Sequence, residues 1–254
     1  MRLKRDKSKY GNPEAVQLRG GEYQEKGDYH INLNTAWPYL PVYLEKMAHA
    51  LAFLAQHGSG KRIIDLGAGE GVLVRRGQQE LGLDIIGLDI NYESEFVLRG
   101  DILNLELPDA SYDIVTCLDV VEHMHFHQQG PALAQMFRIL KPGGRLLLSV
   151  PNLAHFASRF TFIFMGRLLR TSTIDRHIGD RPAGEFVQLL KATGFEIRRR
   201  RGLFPTFPLI SALTYVVPSR VVWLHRLYNA VLGWPNWCFL NIFEAVKPVA
   251  PGEG

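Results

Sequence analysis

The chain has 254 residues, of which 46% are hydrophobic and 21% are charged, and its formal net charge at pH 7 is +4. These proportions are ordinary for a folded protein and exclude an intrinsically disordered chain. The length allows one domain with a full core and an added cap. Cys117 and Cys238 lie far apart in the sequence, so they indicate neither a disulfide framework nor a metal site.

Part of the positive charge comes from two clusters, the N-terminal stretch MRLKRDKSK and the run from Arg198 to Arg201. We interpret them as a solvated tail and a charged strand end, in preference to a binding surface for phosphates or membranes. The first thirty residues contain no apolar stretch of the kind found in signal peptides. We therefore expect a cytoplasmic protein.

Residues 1–35 are polar, contain glycines and show no sustained period. We predict a mobile N-terminal arm whose end, Tyr29-His30, could fold over a ligand as a lid, and a main domain over residues 36–254. From Leu40 to His57 the apolar residues recur at helical spacing, which predicts a helix that packs on a sheet and ends at Gly58.

Strands then alternate with helices. The predicted strands are 62–66, 85–89, 96–98, 114–118 and 145–150, and the predicted helices are 72–81 and 131–140. Such alternation is typical of a parallel sheet that is covered by helices on both faces. Ligands of open sheets of this kind bind at the carboxyl ends of the strands.

Two segments interrupt this alternation, at about 153–182 and 203–237. The first mixes aromatic residues with arginines, and the second carries no charge from Gly202 through Ser219. Three prolines in the second segment argue against a membrane span, because a span needs every backbone group bonded internally. We predict an apolar helical cap with its apolar side inward. Basic residues beside aromatic ones would also suit helices lying in a membrane interface, and that alternative stays open.

The most informative stretch is IIDLGAGEG, from Ile63 to Gly71. A β-branched strand, a tight glycine turn and a helix follow one another directly, so backbone N–H groups can approach a ligand closely. The dinucleotide fingerprint Gly-x-Gly-x-x-Gly is not met, because Val72 stands where its third glycine would fall.

The pattern Asp-x-Gly-x-Gly-x-Gly resembles the loop of the class I S-adenosylmethionine (SAM) dependent methyltransferases. Further segments are similar to that family in the same order: GDI at 100–102, SYDIVTCLDVVEHM at 111–124, KPGGRLLLSVPN at 141–152 and ATGFEI at 192–197. The resemblance covers about residues 40–202 and a final strand near 239–247. It implies a Rossmann-like α/β fold with a mostly parallel seven-stranded sheet.

The resemblance also implies SAM as the cofactor. The glycine loop would pass under its methionine part, Asp89 would accept hydrogen bonds from both ribose hydroxyls, and Asp101 and Ile102 would contact the adenine. Only twelve residues separate Asp89 from Asp101, so the usual intervening helix must be short or missing. The predicted cofactor-binding residues are Asp65, Gly67, Ala68, Gly69, Gly71, Asp89, Ile90, Asp101, Ile102 and Leu118.

Methyl transfer is an in-line displacement on an activated carbon, so alignment and exclusion of water do much of the catalysis. A hydroxyl acceptor must also lose a proton, for which a histidine is suited. The resemblance makes His123 the first candidate and His177 the second; the alternative for His123 is a cap of the next helix. His123, His125 and His127 form His-x-His-x-His, but no carboxylate or cysteine completes a set at an obvious spacing, so no metal is predicted.

The leading interpretation is an enzyme that methylates a small or lipid-like acceptor at oxygen, with peripheral membrane contact as an open possibility. Nucleic acid is the main rival acceptor. However, Leu118-Asp119-Val120-Val121 stands where amino-methylating DNA enzymes carry Asn/Asp-Pro-Pro-aromatic, and Cys117 lies within a strand, not after it. A silent subunit that binds SAM without turnover is the remaining alternative.

Overall fold

The computed structural model describes residues 16–170 and 175–249. The strands are β1 (Leu18–Arg19), β2 (Arg62–Leu66), β3 (Asp84–Asp89), β4 (Tyr92–Glu93), β5 (Val97–Arg99), β6 (Tyr112–Leu118), β7 (Leu140–Pro151), β8 (Glu196–Leu203) and β9 (Leu240–Val246). The α-helices are α1 (Gly21–Lys26), α2 (Leu40–His57), α3 (Val72–Leu81), α4 (Phe126–Ile139), α5 (Phe156–Met165), α6 (Ala183–Thr193), α7 (Pro208–Val216) and α8 (Val222–Leu232). The basic stretch at residues 1–9 lies outside the described residues.

Seven strands form the main sheet in the order β5-β3-β2-β6-β7-β9-β8. Strand β9 is antiparallel to both of its neighbours, and the other neighbouring pairs are parallel. The predicted mostly parallel seven-stranded sheet is therefore confirmed. Because β2, β3 and β6 run in the same direction, the residues that follow them meet at one edge of the sheet.

Each face of the sheet has its own hydrophobic cluster. Ile64 and Leu148 pack in the cluster that includes α4 and α6, whereas the adjacent Ile63 and Leu147 pack in the cluster that includes α2 and α3. Side chains that alternate between two buried faces are expected where helices cover both sides of a parallel sheet. The prediction of helices on both faces is confirmed.

Helix α4 begins earlier than the predicted start at Pro131. In the structure the helix begins at Phe126. The side chain of Gln128 accepts a hydrogen bond from the backbone N–H of His125 at 3.0 Å, which stabilises the first turn. Pro131 therefore lies inside the helix.

The two insertions contain helices α5, α7 and α8. The side chains that these helices bury most completely carry polar groups: Ser158 in α5, Thr214 in α7, and His225, Tyr228 and Asn229 in α8. The expectation that these helices turn their apolar sides inward is therefore wrong. Within residues 16–170 and 175–249, no helix combines the length and the apolar character needed to cross a membrane.

The described part of the N-terminal arm is folded onto the rest of the chain. Strand β1 pairs with β4, and α1 follows. The carboxylate of Glu70 accepts hydrogen bonds from the backbone amides of His30, at 3.0 Å, and Ile31, at 2.7 Å. The His30 ring also stacks on Tyr43 with 5.1 Å between ring centroids. The arm is thus attached both to the glycine loop and to α2, in contrast to the mobile arm that was expected.

Candidate functional site

The glycine loop after β2 borders a cavity of about 500 Å³. Gly67 and Gly69 have φ values of 73° and 51°, in the left-handed region that disfavours other residues. A Cβ at Gly67 would lie 2.3 Å from a methyl carbon of Val120, and one at Gly69 would lie 2.3 Å from the hydroxyl of Tyr23. Both glycines are therefore required by backbone conformation and by close packing.

Two of the predicted cofactor acids end neighbouring strands near this loop. Asp65 accepts a hydrogen bond from the Thr116 hydroxyl at 2.5 Å, and burial raises the pKa of Asp65 to about 7. Asp89 is 8% exposed and accepts hydrogen bonds from the backbone N–H groups of Gly69 and Asn91, each at 2.8 Å. Burial raises the pKa of Asp89, while these two amides act in the opposite direction.

The structure divides the predicted cofactor residues into two groups. Asp65, Leu118 and the loop residues Gly67 to Gly69 line the cavity. Asp89 does not line it, Ile90 is 54% exposed, and Ile102 packs in the core. Asp101 is exposed, and its side chain accepts a hydrogen bond from the N–H of Leu103 at 2.9 Å. The assignment of adenine contacts to Asp101 and Ile102 stays a prediction.

The N-terminal arm packs on the glycine loop. The hydroxyl of Tyr23 in α1 lies over Gly69, and its ring packs edge-on against Tyr92 with 5.3 Å between centroids. Burial and the nearby charge of Asp89 raise the pKa of Tyr23 far above its usual value, so its hydroxyl stays protonated. Tyr29 and His30, the predicted lid residues, also line the cavity. The arm thus forms one wall of the site.

A buried ion pair forms another part of the wall. Lys46 of α2 lies 2.7 Å from Asp119, which follows β6, and the Tyr39 hydroxyl donates to the same carboxylate oxygen at 2.8 Å. The hydroxyl of Ser149 donates to the other oxygen. Burial alone would raise the pKa of Asp119, but Lys46 and these hydroxyls hold it below its usual value. Asp119 is therefore ionised at neutral pH.

The two candidate catalytic histidines lie side by side at the cavity. The ring centroids of His123 and His177 are 4.8 Å apart, with the rings nearly perpendicular. Nδ1 of His123 lies 2.9 Å from the carbonyl oxygen of Arg176, and Nδ1 of His177 lies 3.1 Å from the carboxylate of Asp180. A carbonyl can only accept, so Nδ1 of His123 carries the proton and Nε2 is left as the acceptor. The carboxylate of Asp180 favours the same tautomer of His177.

The surroundings of His123 favour its neutral form. The side chain of His123 is exposed where it lines the cavity. Partial desolvation by the surrounding protein lowers the pKa of His123, and the neighbouring His177 lowers it further. A neutral imidazole can accept a proton.

Glu122 completes a compact group of donor atoms with these histidines. One atom from each of Glu122, His123 and His177 lies within 4.8 Å of the others, a spacing that could admit a cation. However, burial and the charge of Asp119 raise the pKa of Glu122 well above its usual value. A protonated carboxyl group is a poor metal ligand, so this observation favours the prediction of no metal, which stays a prediction.

The His-x-His-x-His run does not converge on one point. His125 and His127 are exposed and stack on each other with 5.6 Å between ring centroids. Neither residue lines the cavity with His123.

Three residues at or behind the cavity were not predicted. Tyr23 lies in a segment without a regular period, so nothing in the sequence marked it. Lys46 could have been noticed, because it falls on the apolar side of α2 between Tyr43 and Met47. Asp180, only 4% exposed at its side chain, follows His177 by three residues, a spacing that permits the contact but does not require it.

Comparison with known proteins agrees with this geometry. Residues 39–199 match the family model described as a methyltransferase domain. A protein of Mycolicibacterium smegmatis, named a probable S-adenosylmethionine-dependent methyltransferase, is 31% identical over 160 residues, which cover 59% of this chain and 58% of the relative. This chain thus matches little more than half of that relative's length. The ubiquinone biosynthesis O-methyltransferase of Nitrosococcus oceani is 31% identical over 176 residues, covering 60% of this chain and 72% of that protein.

Solved structures share the fold at lower identity. A SAM-dependent methyltransferase from Thermotoga maritima superimposes with a TM-score of 0.57 at 18% identity, covering 89% of this chain and 97% of that one. Phosphoethanolamine N-methyltransferase 2 of Haemonchus contortus, in complex with SAM, gives a TM-score of 0.53 at 20% identity, covering 79% and 52%. With the family match over residues 39–199, the glycine loop and the sheet order, the chain belongs to the class I S-adenosylmethionine-dependent methyltransferases.

Proposed function

We propose that this enzyme methylates a hydroxyl oxygen of a small or lipid-like acceptor and that His177 accepts the hydroxyl proton. The observation that carries the proposal is the pair of imidazoles at the cavity. Nε2 of His123 and Nε2 of His177 make no hydrogen bond within the described residues, and both side chains line the cavity. An amine acceptor can attack as a neutral base without such a group, whereas a hydroxyl benefits from one.

The residues present fit SAM. Gly67 and Gly69 line the cavity without a side chain, so a ligand in the cavity can approach the loop backbone closely. Asp65, the loop and Leu118 would hold the methionine side, and Asp89 the ribose. When bound, SAM supplies a methyl group that its sulfonium already activates.

The chain's own residues then act on the acceptor. The acceptor oxygen would take up the methyl group as the methyl–sulfur bond is lost, and the hydroxyl proton would pass to Nε2 of His177. Asp180 stabilises the resulting imidazolium through Nδ1. Its other oxygen lies 3.2 Å from Arg170, which keeps the carboxylate in place. His123, the first candidate from the sequence, lies beside His177 and ranks second in this proposal, because its Nδ1 contacts a carbonyl oxygen and not a carboxylate.

The cavity wall favours an acceptor with an apolar part. Phe204, Phe239 and Leu240 line it, together with Val42 and Met47 of α2. The relatives named ubiquinone biosynthesis O-methyltransferases are consistent with oxygen as the methyl-accepting atom. Their identity to this chain is about 30%, so the acceptor class is the part of the proposal that experiment must decide.

The cysteine chemistry of RNA cytosine-C5 methylation does not fit this site. Cys117 is fully buried, and burial raises the pKa of its thiol well above the usual value. A protonated, inaccessible thiol cannot serve as the nucleophile that RNA cytosine-C5 methylation requires. This removes one of the nucleic-acid alternatives and supports the expectation of a small-molecule or lipid-like acceptor.

The experiment compares the purified enzyme on two matched probes, a long-chain phenol and the aniline with the same carbon skeleton. We expect mass spectrometry to show SAM-dependent methylation of the phenol in preference to the aniline. Preferential methylation of the aniline would contradict the proposal. So would a loss of activity in EDTA that Mg²⁺ restores, because a metal would then activate the hydroxyl in place of histidine.

The variant Asp180→Asn tests the role of the histidine. An amide can donate to Nδ1 and thereby select the wrong tautomer of His177, so we expect kcat to fall about 100-fold or more. SAM affinity, measured by calorimetry, should stay within about twofold of wild type, because Asp180 is not a predicted cofactor residue. If Asp180→Asn and His177→Gln both methylate the phenol at the wild-type rate, His177 is not the proton acceptor.

A further inference from the structure

Helices α5, α7 and α8 have the reverse of the usual amphipathic pattern. Their most deeply buried side chains carry polar groups, and their exposed side chains are apolar. In α8, Trp223, Leu227 and Val231 follow one another at helical spacing and are 66%, 58% and 64% exposed. An ordinary surface helix shows the opposite pattern, with its apolar stripe toward the core.

Hydrogen bonds on the inner sides of α7 and α8 hold these two helices in their observed orientation. Thr214 of α7 and Nε2 of His225 in α8 are 2.7 Å apart, and both side chains are buried. The side-chain oxygen of Asn229 accepts a hydrogen bond from the backbone N–H of Phe204 at 2.8 Å. Turning the apolar side inward would break these hydrogen bonds and leave buried polar groups unpaired. The outward apolar face is therefore fixed by the structure.

The three helices belong to one cluster. The Phe156 ring of α5 packs against Phe207 and Trp237, with 4.4 and 5.3 Å between ring centroids. Phe207 in turn lies 5.9 Å from Tyr228 of α8. We name the exposed apolar residues of these helices, with Trp234 just after α8, the apolar surface: Phe162, Ile163, Phe164, Met165, Leu209, Leu213, Tyr215, Val216, Trp223, Leu227, Val231 and Trp234. Exposed apolar residues in this number on helices that pack together are typical of a binding surface.

The charges of the same segments are of one sign. Residues 152–170 and 204–239 contain five arginines and no lysine, aspartate or glutamate. Within the described residues, Arg167 and Arg220 take part in no salt bridge. Arginine and tryptophan beside an apolar face are the composition of helices that lie at the interface of an anionic bilayer.

We infer that the apolar surface docks in the interfacial region of an anionic lipid bilayer and places the cavity mouth against the lipid. Helix α7 makes the connection. Thr214 and Tyr215 both line the cavity, and Tyr215 is at the same time 71% exposed on the apolar surface. A lipid-like acceptor could then pass from the bilayer to His177 without crossing water. This second step rests on the proposed function, whereas docking does not.

The test begins with sedimentation of the purified protein with vesicles. We expect binding to vesicles of equal parts phosphatidylcholine and phosphatidylglycerol, weakened by salt, and much weaker binding to phosphatidylcholine alone. Trp223→Ser/Trp234→Ser should lower the affinity tenfold or more, because two aromatic anchors are lost. Arg167→Glu and Arg220→Glu should each lower it about fivefold or more at low salt.

Matched controls locate the effect. Arg198→Glu makes the same charge change on β8, and Val249→Ser removes an exposed apolar side chain outside the apolar surface. Both controls should bind vesicles like wild type, and every variant should keep its affinity for SAM. The inference is wrong if wild type ignores both vesicles or if Arg198→Glu weakens binding as much as Arg167→Glu. It is also wrong if ultracentrifugation shows a wild-type dimer that Trp223→Ser/Trp234→Ser converts to a monomer, because a second copy would then cover the surface.

Acceptor delivery is measured separately. A long-chain phenol in the mixed vesicles should be methylated several times faster than in phosphatidylcholine vesicles, and the difference should vanish in Trp223→Ser/Trp234→Ser. If the protein binds vesicles but methylates no hydroxyl, docking stands and the proposed function is wrong. If it methylates the phenol in detergent but binds no vesicles, the proposed function stands and docking is wrong. Equal rates in both vesicles despite docking would overturn delivery from the bilayer.

Discussion

Asp89 stabilises the glycine loop and is also the residue predicted to bind the ribose of SAM. Its two oxygens accept hydrogen bonds from Gly69 and Asn91, which holds the glycine loop against the end of β3. A carboxylate has about four lone-pair sites, so Asp89 keeps acceptor capacity beyond these two donors. Its ribose role stays a prediction, and the Tyr23 hydroxyl of the arm lies over Gly69 on this side of the loop.

We predict that Asp89→Ala lowers the affinity for SAM tenfold or more. Hydrogen bonds to a charged group contribute roughly 1.5–3 kcal/mol, and about 1.4 kcal/mol corresponds to a factor of ten. Isothermal titration calorimetry measures the change, and circular dichroism checks the fold. Asp84→Ala is the matched control, since Asp84 is exposed at the opposite end of the same strand and belongs to no predicted site, so it should bind SAM like wild type. An unchanged SAM affinity in Asp89→Ala would show that the ribose assignment is wrong.

At the scale of elements, the N-terminal arm covers the edge of the sheet and forms one wall of the site. Its attachment to the glycine loop depends on one carboxylate, since both His30 and Ile31 donate to Glu70. Helix α1 carries Tyr23 over Gly69, where the loop backbone would approach SAM. The arm therefore covers the part of the loop that the prediction assigns to SAM.

We predict that Glu70→Ala releases the arm. Loss of these charge-assisted hydrogen bonds, worth roughly 1.5–3 kcal/mol each, should increase the rate of trypsin cleavage after Lys26 about tenfold or more. Mass spectrometry of a limited digest identifies the cleaved bond. Glu80→Ala removes a carboxylate from the end of α3 that only pairs with Arg76 on the surface, so it should digest like wild type. Identical digestion of Glu70→Ala and Glu80→Ala would mean that Glu70 does not fasten the arm.

Elements with strong periodicity were predictable, and those placed by side-chain hydrogen bonds were not. Ile63 and Ile64 before three glycines mark β2 and its loop, because a β-branched run and a left-handed turn each need those residue types. The same reasoning fails for α7 and α8. Their apolar residues have helical spacing, which indicates a helix but not which side faces the core. The hydrogen bond between Thr214 and His225 decides that, and it joins residues on two different helices.

At the scale of the whole molecule, the site is assembled by contacts that are distant in sequence. Parallel strands bring Asp65, Asp89 and Asp119 to one sheet edge, which their positions at strand ends predicted. The partners from outside the sheet were not predictable in this way. Lys46 reaches Asp119 across 73 residues, and Tyr39 across 80. Sequence periodicity carries no information about such pairs until the fold is known.

The Lys46–Asp119 ion pair in the cavity wall also stabilises the whole fold. We predict that Lys46→Met lowers the free energy of unfolding by roughly 3–5 kcal/mol at pH 7. The lysine and carboxylate side chains are 7% and 18% exposed, so the variant leaves a largely buried charge without its cation. For a chain of this size, the melting temperature should fall by about 10 °C. Lys141→Met is the control, because its pair with Asp113 is at the surface and should contribute about 1 kcal/mol or less.

The pH dependence of stability shows whether Lys46 stabilises the protein through its charge or through its packing. In wild type the pKa of Asp119 is lowered, so the stability from its ionised form is present above the usual pKa of an aspartate and is lost as the pH falls through the lowered value. In Lys46→Met, acid protonates the unpaired carboxyl group and removes the cost of burying its charge. The difference in melting temperature between the two proteins should therefore shrink as the pH falls from 7 towards 4. A difference that stays constant or grows on acidification would show that the lost stability comes from the packing of Lys46 and not from its charge.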